Sequence, residues 1–167
     1  MRLYATEELK LPPKRAWAEA TNFSGFEKLL IERGAELARS EQPDPPGLGT
    51  RWQGSFAYNG KRREVAAEVT RYEPPHAMLI VLESAGLDGE LHVTLAEGRY
   101  GRTHLDVTLD LAARTLRARV FLQPLKLAHA TLEARFAARL AKLARAMEKR
   151  RPRACAGRAS RCGRGAR

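Results

Sequence analysis

RWQGSFAYNGKRREVAAEVTRY, residues 51–72, alternates apolar and polar side chains on both sides of an Asn59-Gly60 pair. Asn-Gly between two alternating runs is a strong hairpin signal, because both central positions of a type I′ turn need positive φ. The stretch therefore reads as two antiparallel strands, residues 50–58 and 62–72, with Lys61-Arg62-Arg63 as a basic hairpin tip. In that register Trp52, Phe56 and Tyr58 share a face with Val65, Ala67 and Val69, while Arg51, Gln53, Glu64 and Glu68 take the other. A sheet with one dry and one wet face follows.

The same period of two extends outward from this hairpin over residues 35–111. It predicts further strands at 35–42, 77–84, 90–97 and 103–111, punctuated by Pro74-Pro75 and by the glycines of 98–101. Leu91, Val93, Leu95, Leu105, Val107 and Leu109 join the dry face; His92, Thr94, His104, Asp106, Thr108 and Asp110 join the wet one. Gly47-Leu48-Gly49 lies between strands and lacks the Lys-Ser/Thr and helix of a phosphate loop, so it is read as a plain loop. Before the sheet, Leu3–Lys10 reads as a first strand. Pro12-Pro13 then presets a helix over 14–22 with Ala16, Trp17 and Ala20 on one side. Ser24 is expected to cap a second short helix, 25–32, with Glu27 completing a capping box and Gly34 ending it.

A dry sheet face needs a cover, and only the C-terminal region is long enough to supply one. Ala118, Phe121, Leu122, Leu125, Ala128, His129, Leu132, Phe136, Leu140, Leu143 and Met147 recur at helical spacing, which predicts one long amphipathic helix. Pro124 inside it forfeits a backbone bond and crowds the carbonyl of Val120, so a kink is expected there.

This order of elements, the WxGxFxYNGKxR pattern at Trp52–Arg63 and the FLQPLKLAxxxLExRFxxxL pattern at Phe121–Leu140 resemble the helix-grip fold of the START-like, or SRPBCC, superfamily. That group includes polyketide cyclases and lipid-transfer domains, and the two patterns are similar to its bacterial members. The resemblance implies an α+β domain over residues 1–150: a curved seven-stranded antiparallel sheet wrapped around a long C-terminal helix, with two short helices after the first strand. It also implies a cavity between sheet and helix for a small hydrophobic or lipid-like ligand.

The side chains placed to line such a cavity are Trp52, Phe56, Tyr58, Leu125, His129, Leu132 and Phe136. The plain reading of His129 is a core histidine satisfied by a backbone carbonyl or water. The functional reading is a polar group that orients a ligand carbonyl or hydroxyl in a mostly apolar pocket. Arg139 borders the apolar stripe and is read as a snorkelling flank residue. No nucleophile with its base, paired carboxylates or metal-ligand set stands at workable spacing, so no catalytic residue, metal or cofactor is assigned and binding is favoured over catalysis. The alternative is a pocket enzyme of polyketide cyclase or dehydratase type using His129 with Tyr58.

Charge is unevenly spread. Of the 30 Lys and Arg, eight fall in the acid-free stretch 149–167, leaving 22 against 19 acids in residues 1–148. Residues 151–167, with no apolar side chain larger than Cys or Ala, read as a disordered basic tail. The tail offers non-specific contact with nucleic acid or weak association with anionic membrane, but it has no aromatic for base stacking. A shifted reading frame at the end of the gene would give the same composition. Cys155 and Cys162 match no zinc spacing. Without a signal-like start or an apolar run of about 18 residues, the protein is expected in the cytoplasm.

Overall fold

A computed structural model describes residues 1–150 apart from Arg33, Gln42, Asp44 and Asn59, and apart from the side chains of Glu41 and Tyr58. The tail and both cysteines that the sequence singled out lie outside the described residues. Seven strands form one antiparallel sheet: β1 (Arg2–Leu9), β2 (Glu36–Glu41), β3 (Arg51–Tyr58), β4 (Lys61–Glu73), β5 (Ala77–Ser84), β6 (Leu87–Glu97) and β7 (Thr103–Ala113). Their order across the sheet is β1-β7-β6-β5-β4-β3-β2, so every neighbour but the β1/β7 pair is a hairpin partner in sequence. Tyr58 pairs with Lys61, as a two-residue Asn59-Gly60 turn requires, and Gly60 has φ +70°. Register shifts at Arg39/Glu41 and Val69/Arg71 add the twist and bend by which such a sheet curves.

Helices α1 (Pro13–Ala20) and α2 (Phe23–Glu32) link β1 to β2. Pro12 stands at the N-cap of α1 and Pro13 in its first turn, and Ala16, Trp17 and Ala20 are the buried face. The α2 start differs from the expected Ser24 capping box. Asn22 Oδ1 accepts from the Gly25 N–H at 3.2 Å, the helix begins at Phe23, and Glu27 is drawn away to a tertiary contact.

The C-terminal cover is also corrected in one respect. It comprises α3 (Leu116–Leu127) and α4 (His129–Lys149), which meet at Ala128. Pro124 lies within α3 without ending it. Ala128, at φ −91° and ψ 16°, absorbs the change of direction instead, one turn beyond the proline. Helix α4 then packs along β1.

The core lies beneath the end of α4. Leu140, Ala144 and Met147 close over Ala5 and Leu9 of β1, Val93 and Leu95 of β6, and Leu105 and Val107 of β7; Trp17 and Phe23 seal one side. Salt bridges such as Arg2–Asp110 and Arg51–Glu68 stay on the outer face, where solvent screening leaves them little weight in stability.

Candidate functional site

The inner face of the sheet is mostly apolar and unevenly covered. Under α4 its side chains are buried, whereas Val65, Leu82, Leu91, Leu109 and Leu111, on the side of α3, are only half-buried. A filled interior at normal packing density would bury them all. The reason lies in α3, which touches the sheet chiefly at β7 and buries only Ala118 and Leu122. Phe121 and Leu125 of α3 and Leu132 and Phe136 of α4 are themselves half-buried, and Phe136 packs against the edge of the core. The inner face beside α3 is thus only partly covered.

The expected site residues divide between this partly covered face and the core. Trp52 belongs to the core: its indole N–H donates to Glu27 at 2.6 Å, and its ring meets Phe23 edge-on at 5.1 Å. Arg39 Nε donates to the same Glu27 oxygen at 2.7 Å, so this one carboxylate ties α2 to β2 and β3. Phe56, 38 % exposed, stands farther along β3 toward the hairpin end. Tyr58 is the last residue of β3, and its side chain is among those not described.

His129 occupies the first position of α4. Its Nε2 lies 2.6 Å from the carbonyl oxygen of Arg2, its Nδ1 is 3.8 Å from Glu133, and its side chain is 42 % exposed. The ring therefore reaches the sheet at edge strand β1, satisfying a backbone acceptor there. His129→Ala is expected to lower unfolding stability by about 1 kcal/mol and the melting midpoint by roughly 2–4 °C. Calorimetry that found no shift would show that this contact carries no weight.

The structure adds Arg63, which the sequence placed in a basic tip. It lies on the inner face of β4 opposite Phe56, and its guanidinium carbon is 4.5 Å from the centroid of the Phe121 ring. The signal was available, since Arg63 has the same phase as Val65, Ala67 and Val69; the run of three cations concealed it. Groups with shifted protonation lie on the other side of the sheet. Its hydrogen bond to Arg2 holds the Asp110 carboxyl below the usual range, Arg71 does the same for Glu73, and a hydrogen bond to Asp106 raises the Tyr4 hydroxyl.

Two hollows are surface features. A groove of about 750 Å³ runs by the outer side of β2–β5, where Arg62 pairs with Glu36 and Arg114 with Asp88. Another of about 590 Å³ lies between α1 and α2, where Arg150 pairs with Glu19 and Arg39 with Glu27. Among the described residues no cluster of His, Cys, Asp or Glu could hold a metal ion. No described helix is long and apolar enough to cross a membrane.

A curved antiparallel sheet gripping a C-terminal helix defines the helix-grip class. The profile of the family described as "Polyketide cyclase / dehydrase and lipid transport" matches residues 1–148, and the chain belongs to that family. A search of curated protein sequences finds no match. Solved structures share the fold at low identity. A Thermus thermophilus protein superposes with a TM-score of 0.62 at 18 % identity, covering 88 % of this chain and 97 % of its own. Truncated norcoclaurine synthase from Thalictrum flavum gives 0.62 at 11 %, with 90 % and 95 % covered. A conserved protein of Geobacillus kaustophilus gives 0.61 at 15 %, with 89 % and 96 % covered.

Proposed function

We propose that this protein binds a small hydrophobic or lipid-like molecule in the recess between the sheet and α3/α4. The observation that carries the reading is the division of the mostly apolar inner face into a buried half under α4 and a half-exposed half beside α3. Apolar surface left uncovered in this way gains free energy when an apolar ligand covers it, by about 25 cal/mol for each Å² removed from water. Phe56, Leu125, Leu132 and Phe136 line the recess, with Trp52 fixing the strand beside it.

The alternative of a pocket enzyme, which norcoclaurine synthase is by name, needs proton-handling groups in contact with the ligand. His129 is engaged with the Arg2 carbonyl at the sheet edge, which favours binding over catalysis. The test is titration with 1-aminoanthracene, an apolar fluorophore. Saturable enhancement is expected, together with a thermal stabilisation of about 2.7 kcal/mol at a hundredfold excess over Kd. A protein that neither enhances the fluorophore nor carries a hydrophobe in native mass spectrometry would overturn the proposal.

A further inference from the structure

The three cations at the β3–β4 hairpin are not equivalent. Lys61 is exposed and Arg62 pairs with Glu36 on the outer face, but Arg63 points inward. Its Nε is buried and makes no hydrogen bond, and among the described residues no carboxylate forms an ion pair with it. Among the described residues its guanidinium lies over the face of Phe121 on α3. A guanidinium at an apolar surface is costly unless its donors are met, and a cation–π contact offsets only part of that cost. A ring-face contact does not use the in-plane N–H groups, and their planar fork is shaped to grip two oxygens of a carboxylate or phosphate.

We propose that Arg63 anchors the head group of the ligand, and that the ligand class is an amphipathic anion: an apolar chain in the recess beside α3, and a carboxylate or phosphate head on the Arg63 guanidinium. This rests on the recess being the binding site. Phe121 positions the arginine from α3 and Phe56 lies beside it on β3, so chain and head are read by adjacent surfaces. An alcohol of the same chain length would fill the recess but leave the guanidinium unmet.

Calorimetric titration with dodecanoate, dodecyl phosphate and 1-dodecanol tests this. The unaltered protein is expected to bind at least one anion tenfold or more tighter than the alcohol, and the tighter anion identifies the head group. Arg63→Met should remove that preference while leaving dodecanol affinity within about twofold; Arg63→Lys should keep part of it. Equal binding of alcohol and both acids by the unaltered protein, or a preference that survives in Arg63→Met, would overturn the role of Arg63 while leaving the recess standing. Failure of all three probes to bind would remove the recess itself as the site. The comparison within the unaltered protein decides the matter even if Arg63→Met does not fold.

Discussion

Met147→Ala is expected to destabilise the fold by about 3 kcal/mol and to lower the melting midpoint by roughly 6–12 °C. Met147 is fully buried, two residues from the end of α4, in one cluster with Leu9, Leu105, Val107 and Leu140. Truncation to Ala leaves a hole bounded by two strands and a helix, none of which can move inward without breaking the β1–β7 ladder. Leu127→Ala, at a side chain 92 % exposed on α3, supplies the control and should shift the midpoint by less than about 1 °C. Denaturant unfolding of both variants decides the point: similar losses would show that the core is not concentrated beneath the end of α4.

The second large effect is expected at Gly54→Ala. A Cβ built on Gly54 would overlap the carbonyl oxygen of Glu36 and come within 2.9 Å of Leu37 Cδ1. Gly54 pairs with Leu37 across β3 and β2, so the obstacle is a neighbouring backbone rather than the tip of a flexible side chain. Relief requires β2 to move outward, which breaks its ladder and pulls Arg39 from Glu27. A loss of about 3 kcal/mol, the upper end of overpacking costs, is expected. Hydrogen exchange should locate it in β2 and α2 first, since β2 is an edge strand. Unchanged protection of β2 amides in a variant of full stability would refute the argument.

Most of the architecture is legible because each strand repeats one simple instruction. The alternation through Trp52–Val69 and Leu91–Leu109 sets the faces, and the turn residues set the order. What was hidden depends on contacts between distant segments. Glu27 stands three residues after Ser24, which is the spacing of a capping box, yet Trp52 and Arg39 recruit its carboxylate across the fold. Helix periodicity continues unbroken from Phe121 to Leu140, so nothing local marks Ala128 as the point of interruption; the course of β1 and the His129–Arg2 contact lie over a hundred residues away. At the proposed site, the half-buried positions of Phe121, Leu125, Leu132 and Phe136 lie on the helix stripe that the pattern marked. Arg63 was not marked, because a cation in a run of cations reads as solvated until the strand phase is applied to it.

The single non-helical residue between α3 and α4 separates two very unequal attachments. Releasing α4 would expose the buried Leu140, Ala144 and Met147 and dismantle the core, whereas the buried side chains that α3 gives up are Ala118 and Leu122. Segments held so lightly open by sub-global fluctuations, far more often than the whole chain unfolds. On the proposed reading, traffic into and out of the recess would then be governed by the breathing of one short helix, and a molecule could be exchanged many times in the life of a fold that never comes apart.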